Sequence, residues 1–255
     1  MAEAGAKALR YIASQKAGTQ PCVEAGAVPV LVAALRAHAN VPVVAECACR
    51  ALCNIAGIPA GQTACVSDGA VPAIVAALKN RASVPKVVQF ACMALSIITQ
   101  HSAGQNGEDV CVSEGAVPAI VAALRNHASE PDVAQWASYA LFNMGSNNPS
   151  HCAAIVAADA APALAAAFRV NTGAPRIMAH EALDKLEFTD EGESKEVLGF
   201  PVSSMTPARV VELMRAGAGD PRVSEEGAKA LRRITDAGSG GRCRHVWTQV
   251  QCPSL

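Results

Sequence analysis

Six histidines and ten cysteines are the side chains of this 255-residue sequence best suited to metal ligation or nucleophilic chemistry. Their spacing favours neither. Cys22, Cys65 and Cys111 each stand four residues before a glycine, Gly26, Gly69 or Gly115. A cysteine locked to one phase of a pattern reads as a small buried hydrophobe. Cys47, Cys49 and Cys53 share one predicted helix, but no clustered histidine or second cysteine pair completes a zinc set. Cys243, His245 and Cys252 are three soft ligands near the C-terminus without paired spacing. His38 and His127 fall in equivalent turns, which is turn chemistry. There is no phosphate-cradling glycine loop, no serine or cysteine nucleophile signature and no His-Glu-x-x-His pattern. Catalysis needs titratable groups that converge in a pocket. No catalytic residue, metal site or cofactor is assigned, and the expectation is a protein that is not an enzyme.

A second set of residues has chemistry suited to holding another chain. Trp136, Tyr139 and Asn143 are spaced three and four apart, and the same phases hold Cys47, Arg50 and Asn54, then Phe90, Met93 and Ile97. At about 100° per residue, Trp136, Asn143 and Tyr139 lie about 100–160° away from the apolar face of their helix. Apolar residues at phases that periodicity calls exposed suggest a partner surface. Trp, Tyr and Met are favoured interface anchors, and an Asn amide both donates and accepts. The competing reading is packing between neighbouring helices, which would absorb Phe90 and Trp136 without any ligand.

The elements that must position these residues come from an internal repeat. Gly-Ala-Val-Pro occurs at Gly26–Pro29, Gly69–Pro72 and Gly115–Pro118, at intervals of 43 and 46 residues. A degenerate copy has Asp159 in the glycine position followed by Pro162, and a weaker one has Pro207. Pro42, Pro85, Pro131, Pro175 and Pro221 keep the same beat. Each unit reads as three helices. The short first helix ends at the glycine, where a left-handed cap costs glycine nothing. The proline that follows opens the second helix in its first turn, where no amide hydrogen is needed. The second helix closes on Arg36, Lys79, Arg125, Arg169 or Arg215, cations that complement the helix dipole and are assigned no site. The third helix shows one apolar face at Val133, Ala137, Ala140, Leu141 and Met144. No single unit buries enough surface, so stability must come from stacking: an α-solenoid.

Composition agrees. The sequence is 51% hydrophobic and only 4% aromatic, and 21 Lys+Arg against 22 Asp+Glu give a net charge of −1. That balance excludes a domain built mainly to neutralise phosphate, so no nucleic-acid partner is expected. No uninterrupted apolar run of about 18 residues suggests a membrane span. No secretory signal is evident at the N-terminus, and the expectation is a reduced intracellular protein, cytoplasmic or also nuclear.

The pattern Gly-x-x-Pro, an apolar second helix, then Val-x-x-x-Ala-x-x-Ala-Leu-x-Asn resembles the armadillo repeat family, most clearly in Glu24–Ala56, Asp68–Thr99 and Glu114–Gly145. The resemblance implies an all-α, right-handed α-solenoid of about five to six three-helix repeats, the first partial and the last degenerate. It covers residues 1–237, with the clearest repeats at 20–146, degeneracy from about 187, an acidic irregular link at Glu187–Ser204 and a mobile tail at 238–255. It further implies that third helices line a concave groove. The implied function is a non-catalytic scaffold binding an extended or helical peptide of a partner through Arg50, Asn54, Phe90, Met93, Ile97, Trp136, Tyr139 and Asn143. The alternatives are a regulatory or structural module of a larger multidomain protein and, behind it, an importin-alpha-like adaptor for nuclear-localisation signals. That adaptor uses Trp-x-x-x-Asn pairs, and here Arg50 and Tyr139 stand in the Trp position. Self-association through open solenoid ends is a further expectation.

Overall fold

The computed structural model describes residues 2–15, 17–38, 40–100, 106–145 and 148–186, together with the backbone of 196, 197, 200 and 201. The chain divides into two compact units, Met1–Gly192 and Glu193–Leu255. In the second unit Glu196–Val197 (β1) pairs antiparallel with Phe200–Pro201 (β2). A short ladder therefore stands inside the segment expected to be an irregular link. The weaker repeat expected around Pro207 and the tail at 238–255 lie outside the described residues.

The first unit begins with α1 (Ala2–Ser14). Three full repeats follow. The first comprises α2 (Thr19–Glu24), α3 (Ala27–Ala37) and α4 (Pro42–Ile55), and the second α5 (Pro59–Ser67), α6 (Ala70–Asn80) and α7 (Pro85–Gln100). The third comprises α8 (Gly107–Ser113), α9 (Ala116–Asn126) and α10 (Pro131–Gly145). The fourth, degenerate repeat is equally helical: α11 (Pro149–Ala157), α12 (Ala160–Val170) and α13 (Gly173–Lys185). No single helix among the described residues is long and apolar enough to cross a membrane.

The glycine beat works through backbone conformation. Gly26, Gly69 and Gly115 take φ of 69°, 74° and 74°, so the chain turns sharply and restarts as a helix at once. Asp159 takes the same left-handed conformation with φ 58°, one of the few places an L-residue other than glycine settles. Pro42, Pro59, Pro85, Pro131 and Pro149 open helices, where the missing N–H is not missed.

Stacking supplies the core. Each third helix packs along the next, α1 on α4, α4 on α7, α7 on α10 and α10 on α13, and these are the most extensive contacts of the unit. Alanine permits the approach: Ala48, Ala91, Ala137 and Ala179 are fully buried, as are Ala51–Leu52, Ala94–Leu95, Ala140–Leu141 and Ala182–Leu183. Second helices form a parallel row α3, α6, α9, α12. Cys22, Cys65 and Cys111 are buried as the phase argument requires, and Ile155 takes their place in the fourth repeat.

Two polar ladders run between the repeats. The cation closing a second helix reaches forward to the next left-handed turn. Arg125 Nη2 donates to the Asp159 carbonyl at 2.8 Å and to its Oδ2 at 2.6 Å. A Cβ on Gly69 would stand 3.3 Å from Arg36 Nη2, and one on Gly115 3.7 Å from Lys79 Nζ. The residue capping each second helix after α3 reaches backward: Arg81 Nη2 donates to Asn40 Oδ1 at 3.0 Å, and Asn171 Nδ2 to the Ala128 carbonyl at 2.6 Å. His127 Nε2 meets the Ala82 carbonyl at 2.5 Å. These cations thus do more than complement a dipole.

Candidate functional site

The eight residues singled out from sequence stand on α4, α7 and α10, three consecutive third helices. Their apolar members lean on the core. Phe90, Met93, Ile97 and Trp136 are half-buried and packed against it. Arg50 is exposed and lies over Phe90, with its guanidinium carbon 5.0 Å from the ring centroid, which ties α4 to α7 by a cation–π contact. Trp136 and Tyr139 form a tilted ring pair at 6.3 Å, and Gln100 Nε2 donates to the Tyr139 hydroxyl at 2.6 Å, tying α7 to α10. Asn54 is half-buried.

Asn143 takes a different position. It is 7% exposed, and its Nδ2 donates to the Ser96 carbonyl at 3.0 Å. This amide braces α10 against α7. Cys47, which shares the phase of Phe90 and Trp136, is 2% exposed. The flank expected to be open is therefore closed where α1 packs along α4. At Phe90 and Trp136 the larger rings stand half out of the same kind of seam.

Phe142 and Gln100 belong to this surface although they were not picked out in sequence. Phe142 stacks on Tyr139 with ring centroids 6.5 Å apart and planes 15° from parallel. Its signal was the three-residue step from Tyr139, one helical turn along. Gln100 gave no signal, because nothing within α7 tells that a phenol from the next repeat sits beside it.

The electrostatics of the surface are simple. From Val87 to Gln100 and from Val133 to Gly145 there is no Asp, Glu, Lys, Arg or His. Charge is confined to the margins: Arg50 on one side, and the exposed Lys86–Asp132 pair at 3.5 Å beside the N-terminal ends of α7 and α10. A recess there is lined by Pro85, Lys86, Gln89, Glu130, Pro131, Asp132 and Val133. Burial pushes the thiols of Cys49, Cys53, Cys65, Cys92 and Cys111 up to about 12, so they are poor nucleophiles and poor ligands at neutral pH. Among the described residues no three His, Cys, Asp or Glu side chains are grouped to hold a metal ion. Cys243, His245 and Cys252 lie outside the described residues.

A surface of this make-up, on consecutive third helices of stacked three-helix repeats, defines an α-solenoid with a candidate binding ladder. The fold is that of armadillo repeat proteins, as solved structures show. An engineered protein is similar over 92% of both chains, at 24% identity and a TM-score of 0.66. A designed armadillo repeat protein in complex with the peptide (KR)4 is similar over 89% of this chain and 90% of that one, at 22% identity and TM-score 0.61. Computationally designed armadillo repeat proteins for modular peptide recognition share 20% identity over 89% of this chain and 90% of that one, at TM-score 0.63. No protein-family profile and no curated protein matches the sequence.

Proposed function

We propose that this chain is a non-catalytic scaffold that binds a peptide segment of a protein partner across α4, α7 and α10. The observation that carries the reading is the charge-free row of Phe90, Met93, Ile97, Trp136, Tyr139 and Phe142, half-buried and bounded by Arg50. Such rings offer area at small entropic cost, because packing already fixes them. The peptide binding of the designed armadillo proteins supports the same use of the fold. Arg50 beside the row opposes a lysine-rich ligand, and Asn143 spends its donor on Ser96, so an importin-like role is not favoured.

The test is selection from a random peptide library against the wild type and against Trp136→Ala/Tyr139→Ala, with circular dichroism confirming that both are folded. Peptides enriched on the wild type should lose binding on the double variant. Equal enrichment on both would place recognition elsewhere.

A further inference from the structure

The surface across α4, α7 and α10 has hydrogen-bond donors to spare. The Tyr139 hydroxyl accepts from Gln100 Nε2 at 2.6 Å, and its own proton meets no acceptor among the described residues. The half-buried Trp136 indole N–H beside it meets none either. Arg50 lies over Phe90, and that contact fixes the place of its charge without neutralising it. No carboxylate among the described residues stands within ion-pair distance of Arg50, Glu46 one turn earlier on α4 included.

The other charges near Arg50 cancel. Lys7 pairs with Glu3 at 2.6 Å, and Arg10 and Glu46 oppose each other beside Cys47. Arg50 is left in excess at the α4 margin. At the far margin α13 carries both signs, in Arg176, Glu181, Asp184 and Lys185, and sets no preference. The face is neutral in its middle and positive on one side only.

The ring row adds a spacing. Each three-residue step from Trp136 to Tyr139 to Phe142 turns the ring by about 60° around α10, so the row crosses the helix obliquely. The ring centroids are 6.3 and 6.5 Å apart. Alternate side chains of an extended strand repeat every ~6.6 Å, whereas successive turns of an α-helix come every ~5.4 Å. A strand laid across the row keeps step with the rings. Neighbouring helices pack about 8–10 Å apart, so Arg50 stands about 16–20 Å from the α10 rings, the reach of about five or six extended residues.

We infer, resting on the reading that this surface takes a peptide, that the bound segment is an extended strand of alternating apolar side chains with one Asp or Glu at its α4 end. That acid lies about five or six residues from the apolar residue seated among the α10 rings. Its side-chain carboxylate pairs with Arg50. Its apolar residues fill the spaces around Met93, Trp136, Tyr139 and Phe142, and its backbone carbonyls take the protons of Trp136 and Tyr139. Arg50 selects the charge of the ligand and fixes which end of it lies on α4.

The probe is a library of random peptides flanked by Gly-Ser on both sides, so that no terminal carboxylate competes. Peptides whose binding is lost on Trp136→Ala/Tyr139→Ala should share an i, i+2 apolar pattern and one Asp or Glu at a fixed distance from it. Selection on Arg50→Glu should replace that acid by Lys or Arg and keep the apolar pattern, while Arg50→Lys should retain the acid. An end-capped synthetic copy of an enriched peptide should lose about two- to fivefold in affinity when its acid becomes the amide, and nothing when the same change is read on Arg50→Gln. Arg50 is exposed, so circular dichroism should be unchanged in all three variants. Three results would overturn this inference and leave the scaffold reading standing: Trp136-dependent peptides without an acid, an acid that Arg50→Glu leaves in place, or apolar residues spaced i, i+3 or i+4. No Trp136-dependent enrichment at all would overturn both.

Discussion

Asp159 tests how the fourth repeat manages without its glycine. It holds φ 58° and presents both its carbonyl and its carboxylate to Arg125, at 2.8 and 2.6 Å. In Asp159→Ala the left-handed turn costs about 1–2 kcal/mol for an ordinary L-residue, whereas Asp is among the few residues besides glycine that tolerate it. Loss of the exposed ion pair removes about 0.2–1 kcal/mol more. The bond to the backbone carbonyl survives, so the expected destabilisation is about 1–3 kcal/mol in total. Asp159→Gly loses the same pair and adds about 0.5–1 kcal/mol of unfolded-state entropy, but relief of the strained turn offsets both. It should stay within about 0.5 kcal/mol of the wild type. A solenoid need not unfold in one step, so the assay is native-state hydrogen exchange at the amides of α12, which reports local opening. The Ala variant should exchange through openings about 1–2 kcal/mol cheaper, roughly 5–30-fold faster, than the Gly variant. Equal protection in the two variants would show that turn conformation does not set the stability of this repeat.

Three further outcomes follow. The five thiols pushed to about 12 keep their protons in the folded state, while unfolded thiols ionise near about 8.5. The folded state therefore binds more protons between those values, and stability falls as pH rises through that window. Urea midpoints should drop steadily above pH of about 9, less steeply in Cys65→Ala; a flat profile would contradict the burial. A double-mutant cycle on Arg50→Ala and Phe90→Ala should give a coupling of about 0.5–1 kcal/mol, and zero coupling would remove Arg50 as a fixed margin of the surface. Asn143→Ala should lower stability by about 1–3 kcal/mol in thermal melts, through loss of its bond to Ser96; an unchanged melt would deny it the bracing role.

The local features of this fold were legible. The Gly-Pro beat located the left-handed turns, including the one Asp159 had to fill, and alanines on the third helices marked the stacking faces. The unread part lies between repeats. Phase within α4 placed Cys47 on an open flank, yet α1 closes it. Phase within α10 placed Asn143 beside Trp136 and Tyr139, yet its amide points at the Ser96 carbonyl. Helical periodicity describes one cylinder, and the rotation of one cylinder against its neighbour decides whether a flank is seam or surface. The same limit hid the forward reach of Arg125 and the backward reach of Asn171, whose partners are supplied 34 and 43 residues away.

The forward ladder has a consequence for how such a chain can change its length. Arg36 meets the turn at Gly69, and Lys79 meets the turn at Gly115, each followed by the identical run Ala-Val-Pro-Ala-Ile-Val-Ala-Ala-Leu. A recombination joining the sequence before Gly69 directly to Gly115 would remove one whole unit and present Arg36 with a seam indistinguishable from the one it lost. Only a join out of register with the repeat would leave a cation facing the wrong turn. The identical runs make Gly69 and Gly115 interchangeable at the forward seam, so a repeat can be gained or lost there as a whole word.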